Sequence, residues 1–212
     1  FKMSTNSTVK SNIIYISGLI VLAIFFILTN DTTNQDVSHD NIIKKSNNNN
    51  ELSSTQKISK ALKELEEITY ECDEICEAFN KIYSSKRWVY YPDDPLSGAG
   101  SDVISTRETL QLMKEFINNN DIDIVCDYAC GDQAWAPELW KTTTNKNNQL
   151  ITYIGIDVST VIIEANKKQF SEFKNVHYKA LDAAKPHKMT CDLIMFRDML
   201  FHNTMDNIKK IF

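Results

Sequence analysis

The residues best placed to do chemistry in this sequence are carboxylates that follow short apolar runs. The first group is Asp127-Tyr128-Ala129-Cys130-Gly131-Asp132-Gln133-Ala134-Trp135, in which Ala129, Cys130 and Gly131 are small enough for a ligand to approach the backbone at a strand-to-helix turn. A nicotinamide dinucleotide asks for a G-x-G-x-x-G turn, because its pyrophosphate must touch backbone amides. This turn has one glycine, and Asp132 would repel a pyrophosphate while suiting a ligand that carries an ammonium and a sulfonium. A tight turn with a purely structural role is the plain alternative. Asp157 ends the run Tyr153-Ile154-Gly155-Ile156-Asp157, where a carboxylate can accept from both hydroxyls of a ribose or simply cap the helix that follows. Asp182, in Leu181-Asp182-Ala183, is an acceptor for an adenine amino group or a solvated loop residue. Arg197, Asp198 and His202 bring a cation, a carboxylate and a titratable ring to the end of another apolar run. A general base for a hydroxyl acceptor would come from this group, His202 or Asp198. The alternative is an Arg197–Asp198 structural pair with His202 capping a helix.

These residues need elements to hold them. Hydrophobic patterning predicts strands at 122–128, 151–157, 176–179 and 192–196, and helices at 134–140, at 161–170 and from near Thr204 to the end. Alternating strands and helices imply a mostly parallel sheet with right-handed crossovers, an α/β fold whose ligands bind at the carboxyl ends of the strands. Each candidate above sits just after such a strand. Ahead of them, Leu110, Met113, Phe116 and Ile117 mark a helix capped by Ser101 or Asp102, and two prolines and two glycines make 90–101 an irregular loop.

Further upstream, Ile58, Leu62, Leu65, Ile68, Cys72, Ile75, Phe79 and Ile82 recur at steps of three and four, which predicts one long amphipathic helix over 51–85. Its stripe can pack on the chain's own domain or serve self-association. Residues 30–50 are rich in Asn, Asp, Ser and Thr and read as a disordered linker. The uncharged run 13–28, extended to 12–29, is close to a membrane-spanning length and reads as a signal anchor, with a cleaved signal peptide as its rival. Lys2 and Lys10 precede it and Asp31, Asp36 and Asp40 follow it, which places 1–11 in the cytoplasm. The domain at 86–212 would then lie in the lumen of the endoplasmic reticulum or Golgi, in a single-pass type II arrangement.

Composition narrows the partners. With 23 basic and 28 acidic residues the net charge is -5, so there is no basic surface for nucleic acid. The five cysteines, Cys72, Cys76, Cys126, Cys130 and Cys191, lack the spacing of a zinc quartet or a disulfide scaffold, so neither a metal nor an obligatory disulfide is expected. Cys72 and Cys76 read as apolar fillers of the helical stripe.

Taken together, five motifs in order resemble the class I S-adenosylmethionine-dependent methyltransferases. They are Phe79-Asn80-Lys81-Ile82-Tyr83 with Trp88, Ser97-Gly98-Ala99-Gly100-Ser101, Asp127 through Trp135, Gly155-Ile156-Asp157, and Phe196 through His202. More narrowly they look like an uncharacterised branch with S-G-x-G-S, D-x-x-C-G-D-x-x-W and R-D-x-L-x-H motifs. The resemblance implies a Rossmann-like three-layer sandwich and S-adenosylmethionine as cofactor. It implies Asp127, Ala129, Gly131 and Asp132 at the methionine end, Asp157 and Val158 at the ribose and Asp182 at the adenine. Arg197, Asp198 and His202 would face the methyl acceptor, a small molecule or glycan, and the Ser97–Ser101 loop would act as a lid. Phe196 departs from the cysteine of the branch, and Ala129 from a proline or glycine. The family's sheet has seven strands, whereas four are counted here before Phe212, so the domain is expected to be incomplete at its C-terminus, with an open sheet edge and little activity of its own. A membrane-tethered interaction protein with a degenerate domain is the competing expectation.

Overall fold

The computed structural model describes residues 25–28 and 52–211. The first helix, α1 (Ser54–Glu67), opens on a capping box in which the Ser53 side chain accepts from the Gln56 amide and Gln56 returns to the Ser53 backbone. Helix α2 (Glu74–Ser84) is started by Asp73, whose carboxylate accepts from the amides of Ile75 and Cys76. The single helix expected over 51–85 is therefore two. Ile68 is extended, and 68–73 carries the chain from the sheet face that α1 covers to the end of β3, where Tyr70 donates to the Val158 carbonyl at 3.1 Å. Helix α3 (Arg107–Asn119) buries Leu110, Met113 and Ile117 as its spacing predicts, but it starts later than Ser101 or Asp102. Asp102 instead caps a turn, accepting from the Ser105 amide, and Ala99–Ser101 forms a short 3-10 turn.

Five strands follow the order β1-β5-β2-β3-β4. They are β1 (Phe25–Leu28), β2 (Ile124–Tyr128), β3 (Thr152–Asp157), β4 (Val176–Ala180) and β5 (Leu193–Phe196). The last four are mutually parallel, and β1 runs antiparallel to β5. Numbered among themselves, the parallel strands have the order 3-2-1-4 of a doubly wound Rossmann-like sheet. Short helices link them: α4 (Pro137–Trp140), α5 (Thr160–Gln169) and, after β5, α6 (Met205–Ile211).

The pleat sorts the core into two layers. On one face Val125, Tyr153, Tyr178 and Met195 meet α3, α4 and α5. On the other, Ile124, Cys126, Ile154 and Ile156 meet Ala61 and Leu65 of α1. The greasy stripe of α1 thus covers the chain's own sheet. Gly155 is glycine because the Tyr178 ring lies across it; a Cβ there would sit 2.7 Å from Tyr178 Cδ1.

Three further expectations need correction. Of the membrane helix at 12–29, only Phe25–Leu28 falls within the described residues, and it is a strand hydrogen-bonded to β5. No helix among the described residues is long and apolar enough to cross a membrane. The cytoplasmic tail at 1–11 and the linker at 30–50 lie outside the described residues. The outer edge of β5, expected to be open, is occupied by β1. The cysteines form two disulfides, Cys72–Cys76 and Cys126–Cys191, leaving Cys130 free and buried. Irregular spacing hid the second bond, because Cys126 lies on β2 and Cys191 in the residues leading into β5, and only the topology brings their Cα atoms to 6.0 Å.

Candidate active site

A cavity of about 510 Å3 opens at the carboxyl ends of β2, β3 and β5, the size of an ordinary small-molecule site. It lies where the strand order reverses between β2 and β5, the switch point of such sheets. Asp127, Ala129, Gly131, Asp132, Asp157, Val158, Asp182, Arg197, Asp198 and His202, singled out from sequence, all line it.

The turn after β2 is unusual backbone. Ala129, Gly131 and Gln133 have φ of 64°, 59° and 60°, all left-handed. What makes Gly131 necessary is the lid: a Cβ there would stand 2.2 Å from Ser97 Oγ. Ser97 Oγ accepts from the Asp132 amide at 3.0 Å, and the Asp132 carboxylate accepts from the amides of Leu96 and Ser97. Asp132 therefore clamps the 95–101 loop over the site as well as facing the cavity. At the far side Arg197 donates to the Gly100 carbonyl at 2.6 Å, pairs with Asp198 at 3.0 Å and lies over Trp135. The structural Arg197–Asp198 pair weighed from sequence is thus present, and it braces the lid.

Asp157 is 4% exposed, and each of its oxygens takes one backbone amide, Oδ2 from Gly131 at 3.1 Å and Oδ1 from Ser159 at 2.9 Å. Each oxygen keeps a further lone pair for a ligand. Burial pushes its pKa up to about 6; the amides of Ser159, Gly131 and neighbouring Val158 oppose this and the Asp132 charge adds to it. Asp127 is pushed up to about 7, again by burial, against a hydrogen bond from Tyr153 and the nearby Arg197 charge. Asp182 accepts from the Ala184 amide, which orients its carboxylate in a tight turn.

Two supports escaped sequence reading. Gln133 is a buried hub that donates to the Cys130 carbonyl and Tyr153 and accepts from Trp140 and Tyr178. Asn80 joins α2 to the start of α5, accepting from Ser159 Oγ and the Val161 amide and donating to Thr160. A polar residue at a half-buried position of an otherwise apolar helix face was the available signal for Asn80. Also on the cavity wall, Phe79, Trp88 and His202 form an aromatic group, with ring centroids 5.4 Å apart for Trp88–His202 and 6.3 Å for Phe79–His202. His202 belongs to a 3-10 turn rather than capping α6.

The charge of the lining is one-sided. Glu74, Asp127, Asp132, Asp157, Asp182 and Asp198 supply carboxylates, whereas the only lysine or arginine among the lining residues is Arg197, already paired. A pyrophosphate would meet repulsion there, and a cationic ligand attraction. No group of three or more metal-ligating side chains occurs among the described residues.

No family model matches the chain, and no curated protein matches it. Solved structures do. A magnesium protoporphyrin IX methyltransferase from Synechocystis PCC 6803 with bound SAM is 16% identical with a TM-score of 0.47, over 68% of this chain and 71% of that one. A putative S-adenosyl-L-methionine-dependent methyltransferase from Methanococcus maripaludis is 15% identical with a TM-score of 0.37, over 52% and 57%. The trans-methyltransferase CalH in complex with SAH is 23% identical with a TM-score of 0.28, over 37% of this chain and 22% of that one. The chain thus spans under two thirds of the length of two of these three. At such identities and TM-scores the likeness carries nothing of function, which rests on the cavity.

Proposed function

We propose that the protein is a methyltransferase that binds S-adenosylmethionine in the cavity at the β2–β5 switch point. The observation that carries this reading is Asp157: a buried carboxylate at the end of the strand next to the glycine turn, with both oxygens held by backbone amides and a lone pair left on each. The lining fits the cofactor. Asp157 would take the ribose hydroxyls, with Val158 beside it, and Asp182 the adenine amino group, with Leu181 on the ring. Ala129, Gly131, Asp127 and Asp132 would surround the methionine end, where the excess of carboxylates suits a ligand of net positive charge. The cofactor supplies an electrophilic methyl group on sulfur. The chain's part is to hold an acceptor in line with it, exclude water under the 95–101 lid and take up a proton, for which exposed His202 is the candidate. The acceptor is a small molecule or glycan.

The proposed compartment is oxidising, the secretory lumen; two disulfides in so short a chain support it. Calorimetric titration with S-adenosylhomocysteine tests the cofactor reading. Binding that Asp157→Ala abolishes, with the variant's circular dichroism unchanged, is the expected result. No binding by the folded wild type would overturn it and leave the tethered interaction protein as the reading.

A further inference from the structure

We infer that Arg197 holds the α-carboxylate of the cofactor, which makes the site selective for a ligand with an intact amino acid over its decarboxylated form; this rests on the cofactor reading above. The strands decide where Arg197 stands. β2 and β5 are parallel neighbours with Tyr128 opposite Phe196, so Ala129 and Arg197 leave the sheet side by side. Arg197 therefore enters the cavity at the turn through Gly131, where the methionine end of the cofactor belongs. Its contacts agree. The guanidinium carbon is 5.6 Å from the ring centre of Trp135, just after that turn. Nη2 donates at 2.6 Å to the Gly100 carbonyl, in the same loop whose Ser97 meets Gly131. The Arg197 charge also reaches Asp127, where it opposes the effect of burial.

The amino acid of the cofactor brings two kinds of charge to this end. Its ammonium suits Asp127 and Asp132, whereas its carboxylate is repelled by them and needs a cation. Among the lining residues Arg197 is the only lysine or arginine. Its side chain is 6% exposed and committed in part, with Nη1 paired to Asp198 at 3.0 Å and Nη2 on the lid. Nε is buried and has no partner among the described residues. A buried N–H without an acceptor is destabilising, so an arginine held in this way is poised for one more oxygen. The planar fork of a guanidinium matches a carboxylate, and the bond between them is charge-assisted. Asp198 leaves that attraction in place, because its side chain is 37% exposed and screened by water.

Access comes through the lid. Arg197 is tied to Gly100, so a 95–101 loop that lifts to admit the cofactor uncovers the guanidinium and closes again over the bound carboxylate. The cofactor is then held at three points: ribose on Asp157, ammonium toward Asp127 and Asp132, carboxylate on Arg197. Arg197 is a binding residue in this scheme and takes up no proton.

The probes are S-adenosylhomocysteine and its decarboxylated analogue, which keeps the adenosine, the thioether and the amine, each titrated calorimetrically into the wild type and into Arg197→Met. The wild type is expected to bind S-adenosylhomocysteine at least about tenfold more tightly than the analogue, the equivalent of roughly 1.4 kcal/mol. Arg197→Met is expected to weaken S-adenosylhomocysteine about tenfold and to leave the analogue unchanged or tighter, since a cation is removed from beside its amine. Undiminished analogue binding also proves that the variant is folded. Equal wild-type affinities for the two ligands would overturn the inference without any variant. A preference that survives in Arg197→Met, or a loss shared equally by both ligands, would overturn it too, the latter leaving Arg197 only its brace on the lid. Each of these outcomes keeps the cofactor reading, because S-adenosylhomocysteine still binds the wild type. If neither ligand binds the folded wild type, the cofactor reading falls and the inference with it.

Discussion

Two buried aspartates make the site responsive to pH. Both Asp127 and Asp157 have pKa values raised by burial from 3.8, to about 7 and about 6. An acid of this kind holds more protons folded than unfolded, so its contribution to stability is complete below the unfolded value and is lost as pH rises through the folded one. The protein should therefore lose stability between about pH 4 and about pH 7. Asp127→Asn, which can still accept from Tyr153, should flatten that loss, raising stability at pH 8 by roughly 1–3 kcal/mol with little change at pH 4; urea midpoints at the two pH values measure it. Gly131 is the other sensitive residue. Its φ of 59° and the 2.2 Å approach of Ser97 to a built Cβ mean that Gly131→Ala must displace the lid. The expected cost is about 2 kcal/mol of stability, with weaker S-adenosylhomocysteine binding. Sequence reading singled this glycine out for another reason, ligand approach, and it lines the cavity. The contact with Ser97, 34 positions earlier, is tertiary and has no local signature.

Among elements, the strands were the most legible: period and length located all four parallel ones to within two residues of their observed ends. Helices were less so. A stripe at steps of three and four cannot reveal a break when apolar residues happen to continue the period through the connection, and here Asp73, which caps α2, was the missed start signal. The join between α2 and α5 depends on Asn80. Asn80→Ala removes an acceptor for Ser159 and the Val161 amide and a donor to Thr160, and should cost about 1–3 kcal/mol in urea unfolding. The lid invites a separate measurement. Asp132→Ala deprives the Leu96 and Ser97 amides of their acceptor, so their hydrogen exchange should quicken by about tenfold or more while exchange in β2 and β3 stays as in wild type. Unchanged exchange at 96–97 would show that the clamp does not hold the loop.

At the scale of the whole molecule the two disulfides do unequal work. Cys126–Cys191 ties β2 to the residues leading into β5 across 65 positions, whereas Cys72–Cys76 spans 4. Chain-entropy reasoning gives about 4 kcal/mol for the long loop and about 2 for the short one. The pair Cys126→Ala and Cys191→Ala should lower the urea midpoint about twice as far as Cys72→Ala with Cys76→Ala. Neither bond was legible from spacing: the pairing of Cys126 follows from sheet order, and that of Cys72 from the helix break. The fold class was legible, since four strands with intervening helices admit few sheets, but the strand covering β5 was not, because it comes from an uncharged run that reads as a membrane span. The placement of the indoles has a further, practical consequence. The chain has three tryptophans: Trp88 and Trp135 line the cavity, and Trp140 is wholly enclosed in the core. The molecule therefore carries its own pair of optical reporters, one set read by ligand quenching and the other by the red shift of unfolding, and a Trp140→Phe form would let site occupancy be followed by fluorescence with no added label.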